Sequence, residues 1–378
     1  MNSPVSSSVH IVHIIDEMKV GGAQTHLVTM LRHLLQYYNY QHTVIGLFGD
    51  GPIADDIRNM GINVIIFDLR SQFRQSRLDI ALNKIKSKLI ELKPDLVEAH
   101  LTWSRLLGLL AARMAGVKKR FGFEQGDIYM NSFKFRIANY VSQSYTDRYI
   151  VCSNALGSWV NQTHHICKSK LKVLHNCVDI ERFNQHISPA EDILRLKTPS
   201  NTLFAMVGTL GSGVNKRVDI GIQATAFARQ HGADISLIIA GDGDQRSDLQ
   251  KLAHELGIGD YIHFLGMRSD IPCVLRACDI FCHAAPFEPF GIVAIEAMAT
   301  GLPAIVPNSG GIHEAVEDRV TGLIYESLNA EALGKAMIQL SQDQAKREEM
   351  GLQASKSIED RFTVEQHVNQ LYALYGLN

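Results

Sequence analysis

The stretch Ile280-Phe281-Cys282-His283-Ala284-Ala285-Pro286-Phe287-Glu288-Pro289-Phe290-Gly291-Ile292-Val293-Ala294-Ile295-Glu296-Ala297-Met298-Ala299-Thr300-Gly301-Leu302-Pro303-Ala304-Ile305-Val306 reads as one strand–helix–strand unit. An apolar run ends at His283, a Pro-Phe-Gly turn opens a helix, and Gly301-Leu302-Pro303 closes it before a second apolar run. Short, continuously apolar strands joined through a helix belong to a parallel sheet covered on both faces. Glu288 then falls in the loop at a strand end, and Glu296 on the first turns of the helix. The amides near Gly291 and Ile292 lack intrahelical partners, and such a helix start binds anions. Carboxylates on either side bind hydroxyls. The arrangement points to a ligand that carries both phosphate and a polyol.

Working outward, the same alternation fills the chain. Val9–Ile15 is a β-branched run, followed by Gly21-Gly22 and an amphipathic helix near Ala23–Gln36. Strands are predicted near 43–48, 63–67, 95–99, 120–123, 148–152 and 171–174, and a long helix near 78–92 ends before Pro94. A polar segment, 187–201, contains Pro189 and Pro199 and reads as a linker. Strands near 203–207, 236–240, 261–264, 280–283, 304–306 and 323–325 form a second series. The expected fold is α/β, with two facing Rossmann-like, doubly wound parallel-sheet domains and a cleft between them. The expected domains are 1–185 for the acceptor and 186–360 for the donor. The amphipathic C-terminal segment 361–378 is expected to pack on the first.

At 378 residues, 46% hydrophobic and 20% charged, the composition is that of a globular enzyme. No apolar run reaches the ~18 residues that span a bilayer, and the first eight residues lack the features of a signal peptide. Six scattered cysteines without a C-x-x-C read as reduced thiols in a cytoplasmic protein. Cys273, Cys278 and Cys282 with His283 match no zinc spacing and read as small buried thiols. Residues 1–185 carry 22 Lys+Arg against 15 Asp+Glu, a surplus of +7, whereas the remainder carries 15 against 24, or −9. The positive half suits an anionic acceptor or the inner face of a membrane, if it is more than a solvated helix face. Basic residues do not interleave with aromatics, which argues against nucleic acid.

Three more strand ends carry chemistry. Val207-Gly208-Thr209-Leu210-Gly211-Ser212-Gly213-Val214-Asn215-Lys216 is a strand, a glycine-rich turn and a cation. Its glycines allow close approach to a phosphate and Lys216 adds a point charge, yet the spacing fits neither a P-loop nor G-x-G-x-x-G. Asp242 and Asp244 in Ala240-Gly241-Asp242-Gly243-Asp244 read as turn residues rather than metal ligands. Ser309-Gly310-Gly311-Ile312-His313-Glu314 is another glycine-rich helix start.

This ordered set resembles the retaining glycosyltransferases of family 4 (group 1), which have the GT-B fold. The resemblance rests on Gly21-Gly22-Ala23-Gln24, Asn176-Cys177-Val178-Asp179 before Arg182-Phe183, Val207-Gly208 with Lys216, Ala240-Gly241-Asp242-Gly243, Phe264-Leu265-Gly266, Glu288 with Glu296, and Ala299-Thr300-Gly301-Leu302-Pro303. It implies a nucleotide-sugar donor, most commonly UDP-hexose, with no cofactor and no metal. It places Glu288 beside the donor sugar and Glu296 on the ribose hydroxyls. Lys216 neutralises the diphosphate, the amides of Phe290, Gly291 and Ile292 meet phosphate and sugar, and Gly22 approaches the phosphate from the first domain. Gly208 and Gly241 belong to the donor loops.

Two departures stand out. Where the family places a phosphate-binding arginine, this chain has Thr209 and Asn215, with Arg217 adjacent as a substitute. Where many members have a histidine in the first domain, this chain has Gln125, which cannot act as a base. His100, Glu124 and Asp127 are the alternative groups on the acceptor side, with His100 at a strand end. The departing diphosphate is itself a proton acceptor in the mechanism proposed for the family. Epimerisation or phosphorolysis on the same fold, and a protein that binds the donor without transferring it, are the competing readings.

Overall fold

The computed structural model describes residues 9–38, 40–126, 132–211 and 216–376. The chain divides into two compact units. One comprises the described residues up to Asn176 together with those from Val364 onward, and the other is Cys177–Thr363. The boundary therefore lies earlier than residue 185. Val178 forms a parallel bridge with Thr363, and its N–H donates to the Phe362 carbonyl at 2.9 Å, so the entering and leaving chain segments of the second unit pair with each other. The polar 187–201 segment, read as a linker, lies wholly inside the second unit and contains a short helix, Glu191–Leu194.

Among the described residues the first unit has seven strands: β1 (His10–Ile15), β2 (Gln41–Gly46), β3 (Asn63–Ile66), β4 (Leu96–His100), β5 (Lys119–Glu124), β6 (Arg148–Val151) and β7 (Leu171–Val173). Their order is β3-β2-β1-β4-β5-β6-β7, and every pair is parallel. β1 is buried along its whole length, as a central strand covered on both faces must be. The C-terminal helix Val364–Tyr375 belongs to this unit, and Lys119 Nζ donates to the Tyr375 carbonyl at 2.7 Å, closing the helix end with a cation.

The second unit has six strands: β8 (Thr202–Val207), β9 (Ile235–Ala240), β10 (Ile262–Gly266), β11 (Ile280–Cys282), β12 (Ala304–Pro307) and β13 (Gly322–Tyr325). Their order is β10-β9-β8-β11-β12-β13, again all parallel. Phe204, Ile222, Leu237, Ile280, Ile305 and Met337 share one core between the strands and their covering helices. Each such fully buried side chain contributes roughly 1.5–3 kcal/mol through burial. In both units the strand order reverses beside the first strand, between β1 and β4 and between β8 and β11. Ligands of doubly wound sheets bind outside the carboxyl ends of the strands at that reversal. The residues that follow β8 and β11 are Gly208 and His283.

Candidate functional site: a lysine–glutamate–histidine cluster at the strand ends

Backbone contact builds the floor of the site. Gly208 and Gly241, which directly follow β8 and β9, have φ of 156° and 149°. A Cβ on Gly241 would sit 1.9 Å from the Gly208 carbonyl oxygen. Glycine is required there because the two loops cross with main chain against main chain. The Gly208 N–H donates to the Ala240 carbonyl at 3.0 Å, and the Leu210 N–H donates to the Asp242 carbonyl at 3.0 Å. Asp242 accepts from the Gly243 N–H at 2.8 Å and pairs with Arg246 at 2.8 Å, as a turn residue does. Thr209 points outward and is exposed.

On this floor Lys216 Nζ donates to Glu288 Oε2 at 2.6 Å. Both side chains are partly open, at 24% and 16% exposure. Glu288 is fixed from behind by Gly310 and Gly311. The Gly311 N–H donates to the Glu288 carbonyl at 2.7 Å, and a Cβ on Gly310 would come within 2.5 Å of that carbonyl oxygen. His283, buried at the end of β11, is the third member. Its Nδ1 accepts the Ala285 N–H at 3.2 Å, so the ring proton sits on Nε2, 3.4 Å from Glu288 Oε2. Burial keeps the imidazole neutral, pulling its pKa down against the opposing pull of Glu288. Burial also opposes ionisation of Glu288, but the Lys216 ammonium and His283 outweigh it and hold the carboxyl at about 2.

Beyond Glu288 the chain turns through Gly291 (φ 84°), where a Cβ would strike the Ile312 side chain. The helix Ile292–Ala299 starts there with no side-chain cap and no acidic residue in its first turn. Its first amides and the positive end of its dipole are therefore available to an anion. Phe290 contributes its backbone to the turn. Its ring is buried edge-on to Phe362, centroids 5.5 Å apart. Glu296 is half-buried on the same helix, and burial raises its carboxyl to about 7 against the pull of Arg182.

Lys216, Glu288, Gly208, Gly241, Gly291, Ile292 and Glu296 are thus all built by the carboxyl ends of one sheet and the helix that follows. Arg217, the adjacent residue named as a substitute for the missing arginine, is engaged within its own turn. It has φ 50° and its guanidinium makes a fork with Asp219, at 2.9 and 2.8 Å, so its charge is matched within its own turn. Asn215 lies outside the described residues. Sequence reasoning weighed His283 only as a zinc ligand and missed its hold on Glu288. The usable signal was its position at a strand end five residues before the carboxylate. Cys278 and Cys282 are buried and their thiols are pushed well above the ordinary range by burial.

In the first unit Gly22 opens the helix Gly22–Tyr37, which also has no side-chain cap and no acidic residue in its first turn. His100 is enclosed completely rather than set at an open edge. Its Nε2 is 3.6 Å from Glu98 Oε2 and its ring stacks on Phe123, with centroids 4.6 Å apart. The same Glu98 oxygen pairs with His13 Nδ1 at 2.7 Å, His13 Nε2 meets His42 Nδ1 at 3.0 Å, and the Tyr375 hydroxyl donates to the other Glu98 oxygen. Burial lowers the pKa of His100. Gln125 Nε2 lies 3.5 Å from His26 Nδ1. Glu124 pairs with the buried Arg105 at 2.5 Å. Asp127 lies outside the described residues.

Comparison with known proteins agrees with this architecture over nearly the whole chain. Residues 20–182 match the Glycosyltransferase Family 4 pattern and residues 194–357 match that of the Glycosyl transferases group 1. The UDP-Gal:alpha-D-GlcNAc-diphosphoundecaprenol alpha-1,3-galactosyltransferase of Escherichia coli is 27% identical over 293 residues, 75% of each chain. The crystal structure of Anabaena Alr3699/HepE in complex with UDP superposes with a TM-score of 0.83 at 25% identity, over 97% of this chain and 99% of that one. Its complex with UDP-glucose gives 0.83 at 24%, over 97% and 98%. With two parallel-sheet Rossmann-like units, matching patterns in both and a lysine–glutamate pair at the carboxyl ends of the second sheet, the chain belongs to the family 4, group 1 glycosyltransferases of the GT-B fold.

Proposed function

We propose that this glycosyltransferase moves a hexose from a UDP-hexose to a glycan, lipid-linked or small-molecule acceptor, with retention of configuration and without a metal. The observation that carries the reading is the Lys216–Glu288–His283 cluster beside an uncapped helix start. The structural neighbour's complexes with UDP and UDP-glucose support the choice of donor.

The reaction breaks the bond between the sugar C1 and the diphosphate oxygen. Charge develops on that oxygen. Lys216 and the amides at Gly291 and Ile292 are preorganised to receive it. The diphosphate then replaces Glu288 as partner of Lys216, and Glu288, still oriented by the His283 Nε2–H, turns to the sugar hydroxyls. Glu296, with a carboxyl near neutrality, is suited to donate to one ribose hydroxyl and accept from the other. The acceptor oxygen bonds to C1 on the face the diphosphate leaves, and its proton passes to the diphosphate. No side-chain base is then needed, which accommodates Gln125 and the enclosed His100.

A thermal-shift screen of nucleotide-sugar donors tests the reading. A UDP-hexose at 100 Kd adds about 2.7 kcal/mol of stability. Stabilisation by none of them, or acceptor-independent loss of the sugar nucleotide, counts against it. Chelation by EDTA is expected to leave the rate unchanged. No helix among the described residues is long and apolar enough to cross a membrane. We place the protein in the cytoplasm, with peripheral contact at an anionic inner membrane surface, and flotation with anionic liposomes tests that placement.

A further inference from the structure

The first unit contains a pocket that the donor chemistry leaves unused. It has a volume of about 550 Å³, lies near the carboxyl ends of β1, β2 and β4, and its walls include Phe48, Phe73, Trp103, Arg70, Arg74 and Glu17. The three rings form a continuous edge-to-face array. Phe73 meets Phe48 at 4.7 Å and 88°, and Trp103 at 4.9 Å and 84°. All three rings are only half-buried, so they present apolar surface to whatever enters.

Two cations stand on the same wall. Arg70 and Arg74 begin and end one short helical turn, Arg70–Arg74, and are therefore on one face, with Phe73 beside them. Arg70 is held loosely by Glu17 at 3.6 Å, where both side chains are well exposed. Arg74 has no ion pair or hydrogen-bonded side-chain partner among the described residues. Two non-glycine residues with left-handed backbone flank the pocket: Ser76 at φ 56°, which lines it, and Leu101 at φ 69°, just before Trp103. Such backbone costs on the order of 1–3 kcal/mol and concentrates where a ligand is held.

Aromatic walls with adjacent guanidinium groups select a molecule with an apolar or ring-bearing body and a doubly charged anionic end. A carboxylate carries one charge and would be matched by Arg74 alone, with Glu17 repelling it. A phosphate engages both arginines and displaces Glu17 from Arg70. We propose that this pocket binds an organophosphate, with the phosphate on Arg74 and Arg70 and the body against Phe48, Phe73 and Trp103. Resting on the transferase reading, that organophosphate is the acceptor. The body is either an isoprenoid or a sugar ring, since both pack on aromatic faces, and the test separates them.

The chain has two tryptophans, so a W159F background leaves Trp103 as the sole indole in the pocket wall. Its fluorescence is titrated with farnesyl phosphate, glucose 1-phosphate and inorganic phosphate, and calorimetry on the unsubstituted protein repeats the series. The expected result is saturable binding of one organophosphate at least tenfold tighter than inorganic phosphate. Arg74→Gln weakens it by tenfold or more, and R70Q/R74Q weakens it further. A farnesyl phosphate preference identifies a lipid carrier, and a glucose 1-phosphate preference a phosphorylated saccharide. The proposal is overturned if neither outbinds inorganic phosphate, or if Arg74→Gln leaves the affinity within twofold. UDP-induced thermal stabilisation is recorded in parallel. Its persistence in Arg74→Gln shows an intact fold, whereas its absence from the unsubstituted protein sinks the transferase reading and leaves the pocket result standing.

Discussion

Both units place a carboxylate between basic groups at or near a strand end, yet the two clusters serve different ends. In the second unit Glu288 is paired with Lys216 at 2.6 Å, and both remain partly open to water. In the first, Glu98 lies among His13, His100 and Tyr375 with no exposure at all. An open pair exchanges partners at little cost, because water and an incoming anion replace what is lost. An enclosed pair cannot, because removing one partner leaves a desolvated charge. Similar residue types therefore form an open, exchangeable pair in one unit and an enclosed structural tie in the other. That tie joins β4 to the C-terminal helix through the Tyr375 hydroxyl.

The largest expected effect tests the enclosed side. Glu98→Ala should destabilise the protein by about 2–6 kcal/mol, because the buried Tyr375 hydroxyl and His13 Nδ1 each lose their partner at about 1–3 kcal/mol apiece. Chemical denaturation reads this, and a loss below 1 kcal/mol would erase the contrast between the clusters. Next comes the open side. Lys216→Ala should lower kcat by about 10²–10³-fold, as for losing one charge-stabilising donor, while the denaturation midpoint stays nearly constant. A large loss of stability with unchanged kcat would exchange the roles assigned to the two clusters.

His283 sharpens the comparison, since it is a buried group serving the open pair. His283→Phe should reduce kcat/KM by about tenfold, the cost of one hydrogen bond to a charged group. His283→Asn, which keeps a donor, should recover part of that loss if orientation of Glu288 is the issue. Glu296 should give the smallest kinetic effect. Glu296→Ala should raise the donor KM several-fold with kcat little changed, and an unaltered KM would remove it from the ribose site. Its titration also has a definite sign. A folded-state value near 7, above the ordinary carboxylate range, means the folded protein holds a proton that the unfolded chain releases. The stabilisation is complete below about pH 4.3 and is lost as pH rises through 7. Glu296→Gln should flatten that part of the stability–pH curve by about 1–2 kcal/mol. A curve that keeps its slope would assign the titration to another group.

Much of this was legible from the chain. Strand–helix alternation and apolar strand runs suffice for two parallel sheets, because a strand buried on both faces has few alternatives. Even the short Leu171–Val173 strand falls where its pattern puts it, paired with β6. Lys216 and Glu288 were legible because both follow strands that become neighbours across the sheet reversal. The direction of Arg217 was not, because a left-handed residue followed by Asp219 turns the guanidinium back on its own helix. The strand-end position of His283 hints at a partner for Glu288, but its hold depends on the Ala285 amide selecting a tautomer, a three-body contact that spacing alone does not report. The enclosure of His100 comes from β1, β5 and the C-terminal helix meeting over β4, which spacing along one strand does not report. The early domain boundary comes from Val178 pairing with Thr363, a contact between distant parts of the chain.

The crossing of Gly208 and Gly241 has a consequence for anyone who would re-engineer the enzyme. Where backbone lies on backbone there is no side chain to trade, so the floor under Lys216 offers almost no variation that keeps its shape. A side chain placed at Gly241 would push the two loops apart, whereas the exposed Thr209 can vary without moving the crossing. A change that leaves the floor intact is confined to the residues around its rim.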